Sequence, residues 1–331
     1  MTLGNLSVLM RFARSIAATV NVAGQSGLAG RQSPRSPAIL LLNGDPALLG
    51  PGPGGQFVDG LETMFRNVDE LACTVNEDRV QFYETVEGRD LADFSLVQVV
   101  AHHRRTATLS SAIVEYLRHR RVPTNMSVTG PPTRLFQYLR LADNGLRVPA
   151  TVCLPGHTLI GSYAELAETL SLPFVVTAMD ANGIGRDHLI CGELDFDRLV
   201  AFACHMDGRM LAQEFVPRDT SLHVLVLGGE ARMATRHSGV GSGRSPTAMD
   251  RDRAELVDTA NLDPTLRRLA ERAAELLGSE VAEVDLVRHW TTGDWYVLDV
   301  SLNPAIGGGA FGTAERGVYA AFLREEVEAR R

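Results

Sequence analysis

Lysine is missing from this chain: of its 331 residues 32 are basic, and every one of those is arginine. Lysine is among the commonest residues of soluble domains, so its absence is a signal, and with the many Arg and Ala residues it points to a high-GC bacterial genome. Long apolar runs are missing too. None approaches the roughly 20 residues of a membrane span, and Ala38-Ile-Leu-Leu-Leu42 is a strand-sized core segment, so no membrane partner is expected. Cysteine is scarce; Cys73, Cys153, Cys191 and Cys204 show no paired or metal-type spacing. That excludes a disulfide framework and a zinc site and fits free thiols in a reducing, cytoplasmic compartment. The net charge of −8 disfavours non-specific nucleic-acid binding. Repeats and low-complexity tracts are absent.

Acidic residues are absent before Asp45, while Arg11, Arg14, Arg31 and Arg35 are spread among Ser, Ala and Gly. Residues 1–37 therefore read as a flexible segment: an organellar transit peptide by profile, or a plain tail or mis-assigned start. Arg11 and Arg14 break what would be the apolar core of a secretory signal. Beyond it, 45% hydrophobic residues suffice for a substantial core, and the length allows two or three domains. Gly50, Gly52 and Gly55 formally spell a dinucleotide fingerprint, but two prolines and no following helix argue against it. Strands near 38–43, 79–84 and 95–100, a helix near 106–121 and a short strand near 123–128 predict a small α/β domain with a parallel sheet. His102 and His103 are read as solvated loop residues. Ser162 is expected to cap a helix through Leu170. Asp263, Pro264 and Gly278 frame another, whose apolar positions recur at helical spacing.

The chemistry concentrates in two hairpins. In residues 281–304, two apolar β-branched runs flank Thr291-Thr292-Gly293, a three-residue loop with Gly where a left-handed residue is wanted. Pairing around it sets Asp285 opposite Asp299 and Glu283 opposite Ser301, with Cβ atoms about 5 Å apart on one face. Like charges so placed repel unless a cation lies between them, and carboxylates with the Asn303 amide are hard oxygen ligands of the magnesium type. Solvated acids on an exposed edge are the plain alternative. Upstream, the Gly228-Gly229 turn predicts that Ser221 pairs with Arg236 and His223 with Ala234. One face would then carry Ser221, His223, Arg232 and Arg236, a cationic surface beside the acidic one. The loop 239–246 does not fit a nucleophile elbow, because serine is not central in a G-x-S-x-G.

At this point the chain resembles the ATP-grasp superfamily, specifically the RimK-like carboxylate–amine ligases, over roughly residues 95–315. The carriers are Ala212-Gln-Glu-Phe-Val-Pro217, the hairpin 221–236, and the "VD…LDV…NP" pattern of 285–304. They are joined by Phe94-Ser-Leu-Val-Gln-Val-Val100, by a helix opening at Pro131-Pro-Thr-Arg134, and by Leu172-Pro-Phe-Val-Val-Thr177 leading to Gly183-Ile-Gly-Arg186. The resemblance implies an α/β (α+β) chain with an ATP-grasp fold preceded by a pre-ATP-grasp α/β domain. The implied boundaries are 38–130 for the first domain and 131–325 for the grasp, with a lid at about 150–212 and a mixed-sheet catalytic part at about 213–315. It implies ATP with magnesium, or manganese in its place, and a carboxylate activated as an acylphosphate and then attacked by an amine. The substrates would be small molecules or peptides, with no nucleic acid; a homo-oligomer is open.

Residue by residue, the resemblance assigns Gln213, Glu214, Phe215 and Val216 to the adenine hinge. Arg134, His223 and Arg236 go to the phosphates, with His223 and Arg236 as catalytic groups. Gly183, Gly185 and Arg186 form the flap, and Asp285, Asp299, Ser301 and Asn303 the metal site. Residues 307–312 are expected to line the acceptor side or form a turn. The chain departs from the pattern where Arg134 and Thr177 stand for lysines, His223 for arginine, Ser301 for asparagine and Asp299 for glutamate. Arginine can hold phosphate bidentately; threonine carries no charge. These exchanges keep a catalytically quiet relative, binding nucleotide or peptide, as the alternative function.

Overall fold

The computed structural model describes residues 38–43, 58, 60–75, 80–99, 107–125, 133–179, 185–203, 209–238, 254–302, 304–308 and 310–329. The segment 1–37, the loop 50–55, His102, His103, Gly183, the loop 239–246 and Asn303 lie outside them. The chain opens with β1 (Ala38–Leu42), β2 (Glu62–Arg66), β3 (Leu71–Val75), β4 (Val80–Glu84), β5 (Leu96–Val99) and α1 (Ala107–Arg120). Strands β2, β1 and β5 form a three-stranded parallel sheet in that order, and β3 and β4 an antiparallel pair. The strand expected at 79–84 thus belongs to a hairpin beside the parallel sheet. The segment expected at 123–128 contributes one bridge, Thr124 to Val97.

β1 shows why its sequence is continuously apolar. Ala38, Leu40 and Leu42 pack on one side with Phe82, Val97, Val99, Ile113 and Leu117. Ile39 and Leu41 pack on the other with Leu96, Leu225, Met233, Tyr319 and Phe322. A parallel strand covered on both faces has no polar side to write into its sequence.

The rest of the chain runs α2 (Arg134–Asp143), β6 (Thr151–Pro155), α3 (Tyr163–Leu170), β7 (Phe174–Met179), β8 (Gly185–Ile190), α4 (Glu193–Ala203), β9 (Arg209–Glu214), β10 (Arg218–Leu227), β11 (Glu230–Ser238), β12 (Ala254–Val257), α5 (Pro264–Leu276), β13 (Val281–His289), β14 (Trp295–Ser301) and α6 (Gly312–Glu328). A four-stranded sheet has the order β6-β9-β7-β8, and a five-stranded sheet the order β12-β11-β10-β13-β14. Every pairing in the latter is antiparallel, which corrects the mixed sheet expected there. Short turns account for β10–β11 and β13–β14, since neighbouring strands joined that way must reverse direction; β11–β12 and β10–β13 are antiparallel across longer connections.

Along 222–226 of β10 and 282–286 of β13 the five-stranded sheet separates its faces by alternation. Leu222, Val224 and Val226 of β10, with Ala282, Val284 and Leu286 of β13, pack under α5. The apolar face of α5 comprises Leu266, Ala270, Ala273 and Ala274, and Asp263 caps it by accepting the Thr265 N–H at 2.7 Å. Ser162 precedes α3 as expected but makes no side-chain cap; its hydroxyl donates to the Leu159 carbonyl at 2.9 Å instead. The four-stranded sheet packs Phe174, Val176, Met210 and Ala212 against α3 and α4. Among the described residues no helix is long and apolar enough to cross a membrane.

Candidate active site

Both hairpins contain a β-bulge, and the bulges decide which side chains meet. In β10–β11 the pairs next to the turn, Leu227 with Glu230 and Val226 with Ala231, match the expected register. Arg232 is then an extra residue, so Leu225 pairs with Met233, His223 with Thr235 and Leu222 with Arg236. Because side chains alternate, one inserted residue exchanges the two faces beyond it. Arg236 therefore does not share a face with His223; it is exposed, with Leu222 and Glu255 as its cross-strand neighbours. Its expected role on the phosphates is withdrawn. Thr235 and His237 take the place beside His223, whose ring centroid lies 4.5 Å from that of His237. Arg232 is also withdrawn from the cationic face: its guanidinium binds Glu325 of α6 at 2.8 Å.

In β13–β14 the connection spans residues 290–294 rather than three, with Gly293 at φ +76°. Next to it Arg288 pairs with Trp295, and a bulge at Leu298 restores the expected register, so that Asp285 faces Asp299 and Glu283 faces Ser301. Glu283, Asp285 and His223 then converge. His223 Nδ1 lies 3.2 Å from Glu283 Oε1 and 3.0 Å from Asp285 Oδ1. Burial alone would lower the His223 pKa; hydrogen bonds and charge from Asp285 and Glu283 outweigh it and push it up to about 10. The imidazolium is an internal cation for two carboxylates that would otherwise repel. Burial pushes the Asp299 pKa up to about 6, Arg134 working against the rise and Asp285 adding to it.

One end of this row, Asp285, lines one cavity, and the other, His223 with Glu283, lines a second. The first, about 200 Å³, is lined by Arg134, Tyr138, Asp187, Arg218, Asp285 and Asp299 and by the stretch Gln213, Glu214, Phe215 and Val216. Its floor is fixed by α2. Thr133 caps this helix, and the Gln137 amide donates to the Val300 carbonyl at 3.0 Å. That buried bond is worth about 1 kcal/mol. Tyr138 donates to the Leu298 carbonyl, and Arg134 projects from one turn earlier on the same helix face. Its guanidinium lies 3.7 Å from both Asp187 of β8 and Asp299 of β14. Burial opposes the Arg134 charge, but Asp299 and the other nearby acids hold its pKa above the ordinary value.

Thr177 is buried and donates its hydroxyl proton to Asp187 at 2.7 Å. Where the resemblance has a phosphate-binding lysine, this chain has a threonine that orients a carboxylate. Gln213 donates to Thr151 Oγ1 at 3.3 Å, and Glu214 accepts the Ala150 N–H at 3.1 Å. Gly185 opens β8 and Arg186 pairs through the backbone with Ala178. Sequence reasoning missed Arg218, Asp187 and Tyr138. Arg218 is buried in the first cavity; burial lowers its pKa, with Asp285 and Asp187 opposing. Its one visible sign is a charge between the apolar stretch ending at Pro217 and strand β10.

The second cavity, about 340 Å³, is lined by His223 and Glu283 at the other end of the row, by Leu225, Met233, Thr235, His237 and Glu315, and by residues of the described stretches 304–308 and 310–311.

With this geometry in view the chain can be set beside known proteins. No protein-family model matches it. The alpha-aminoadipate–LysW ligase LysX of Sulfurisphaera tokodaii is 24% identical over 219 residues, covering 63% of this chain and 73% of LysX. The ATP-grasp ligase PsnB complexed with a minimal precursor superposes with a TM-score of 0.64 at 15% identity, over 88% of this chain and 99% of PsnB. A RimK-domain ATP-grasp protein from Sphaerobacter thermophilus gives a TM-score of 0.57 at 20% identity, over 88% and 99%. The chain has the ATP-grasp fold. Within it, the first cavity lies between the four-stranded and five-stranded sheets, drawing Asp187 from one and Asp285 and Asp299 from the other.

Proposed function

We propose that this ATP-grasp protein is an ATP- and magnesium-dependent carboxylate–amine ligase working through an acylphosphate. One observation carries the reading: the contiguous row His223, Glu283 and Asp285 runs from an arginine-bearing cavity, lined by Asp285, to a second, more apolar one, lined by His223 and Glu283. A phosphoryl group made at one end of the row can be displaced from the other. The 38–130 segment would be the pre-grasp domain, 150–212 the lid and 213–315 the catalytic part.

The donors suit a hard divalent ion. One atom each of Glu283, Asp285 and His223 lie within 4.8 Å of one another, and carboxylate oxygens prefer magnesium. A protonated imidazole offers no lone pair, so Asp285 and Asp299 would hold the ion, with Ser301 opposite Glu283 on the same pair of strands. Bound there, magnesium would neutralise charge on the transferring phosphoryl group. Gln213 to Val216 face the adenine, and Arg134 and Arg218 hold the phosphates. A carboxylate oxygen of the acid attacks the γ-phosphorus while the bond to the β–γ bridging oxygen breaks and ADP leaves. The amine nitrogen then attacks the acyl carbon, the C–O bond to phosphate breaks, and an N–H proton leaves with phosphate. Positioning and charge supply most of the catalysis. PsnB is described in complex with magnesium and ADP, and also with a precursor peptide and AMPPNP; nucleotide, metal and a peptide or small-molecule acceptor are the matching partners here.

A second reading has its own observation. The Thr177–Asp187 bond sets a carboxylate where a phosphate cation is expected, which suits a catalytically quiet nucleotide or peptide binder. Incubation with ATP, magnesium and pooled amino acids separates the two. The ligase releases ADP only with acceptors present, and Asp285→Asn abolishes the release. Nucleotide binding with no ADP from any pool would establish the binder instead.

A further inference from the structure

The second cavity is built for a different ligand from the first. At about 340 Å³ it lies at the low end of the roughly 300–1,000 Å³ of small-molecule sites. Leu225, Met233, Ile306 and Phe311 give it an apolar wall contiguous with the core between the parallel sheet and α6. Its polar groups are Glu283, Glu315, Thr235 and two histidines, and among the described lining residues there is no arginine.

Glu315 is placed there by a close approach of backbone. A Cβ on Gly312 would collide with the Gly307 carbonyl oxygen, so only glycine lets the first turn of α6 fold onto Gly307. That turn brings Glu315 Oε2 to the Gly307 N–H at 2.9 Å. The Arg316 guanidinium donates to the Gly307 carbonyl and Thr313 Oγ1, and its charge also acts on Glu315. Burial raises the Glu315 pKa; the Gly307 bond opposes this and the Glu283 charge adds to it. The His223 proton is engaged by Glu283 and Asp285.

We propose that the second cavity binds the amine substrate: a primary ammonium held between Glu283 and Glu315, with a compact apolar side chain against Leu225, Met233, Ile306 and Phe311. An ammonium relieves the repulsion between the carboxylates and takes over the solvation that burial removes. An anion would meet both charges, and a long cationic side chain would leave its own charge against the apolar wall. The word "substrate" rests on the ligase reading; the binding does not.

The test uses the full chain without nucleotide and follows ligand binding by NMR. The probes are 3-methylbutylamine, its carboxylate counterpart 4-methylpentanoate, the neutral 3-methylbutanol, and the peptide Leu-Gly-Gly. The amine should bind saturably and about tenfold or more tighter than the carboxylate or alcohol, the size of one charge-assisted contact. Tighter binding of the peptide than of the amine would assign the ammonium to a peptide end. Glu315→Gln should weaken the amine about tenfold while leaving the melting shift with magnesium and ATP unchanged. Ala254→Phe, which fills the cavity from β12, should abolish amine binding. Equal binding of amine and carboxylate, or an amine affinity unaltered in Glu315→Gln, would overturn the proposal. A magnesium–ATP shift without amine binding sinks this proposal and spares the ligase reading. Amine binding without any magnesium–ATP shift supports the cavity and sinks the ligase.

Discussion

The two cavities differ in what neutralises their carboxylates. In the first, Arg134 bridges Asp187 and Asp299, and Arg218 faces Asp285 and Asp187. In the second, Glu283 shares the His223 proton, and among the described residues Glu315 accepts the Gly307 N–H and feels the charge of Arg316. The two cavities meet opposite ends of one row, Asp285 in the first and His223 with Glu283 in the second, and the surrounding cations set which ligand each takes. Fixed guanidinium groups favour polyphosphate, whereas carboxylates set in an apolar wall favour an ammonium.

The strongest way to break the contrast is to remove the acid of the row that lines the first cavity. Asp285→Asn should lower magnesium-dependent ADP release on the order of 10²- to 10³-fold, as for loss of one preorganised charge at the reacting group. Steady-state assay against acceptor pools checks this, and an unchanged rate would dissociate the row from the chemistry. Arg218→Met should come next, weakening ATP about tenfold or more through loss of a charged hydrogen-bonding group, while leaving 3-methylbutylamine affinity alone. Calorimetric titration of both ligands would show whether the cavities respond separately.

These side chains were unequally visible in the sequence. The facing acids of β13 and β14 were legible because period-two alternation and a glycine turn fix a face, although the bulge at Leu298 was needed to bring the longer connection into that register. The same logic failed at Arg236. The bulge at Arg232 has no composition signature, and one extra residue moved the arginine to the opposite face. Asp187 acquires meaning only from its pairing with Thr177 across β7 and β8, and Glu315 only from the packing of α6 on Gly307. Local pattern specifies strands and turns, whereas a site assembled from two sheets and two helices depends on contacts distant in sequence.

A smaller effect concerns pH. Asp299 is pushed from 3.8 to about 6 and His223 from 6.5 to about 10. Both bind protons more tightly folded than unfolded, so metal-free stability falls as pH rises, between 3.8 and about 6 for Asp299 and between 6.5 and about 10 for His223. Thermal melts across pH should show both declines, and Asp299→Asn should remove the acid-side decline while weakening magnesium-dependent ATP binding. A decline that persists in that variant would detach it from Asp299. The smallest change is expected for Thr177→Lys. Asp187 stands where the new ammonium arrives and would pair with it, so ADP release should move by no more than about threefold, less than one charge-assisted contact. A large gain would show that the first cavity lacks a cation that Arg134 and Arg218 do not replace.

The most direct test of the central claim, that the first cavity is a magnesium–nucleotide site, is the melting temperature with ATP, with and without magnesium, in the natural chain and in Asp285→Asn. At about 100 times its dissociation constant the nucleotide should stabilise the natural chain by about 2.7 kcal/mol, a rise in melting temperature that vanishes with EDTA and is lost in the variant. An equal rise without magnesium, or the same rise in Asp285→Asn, would contradict the account.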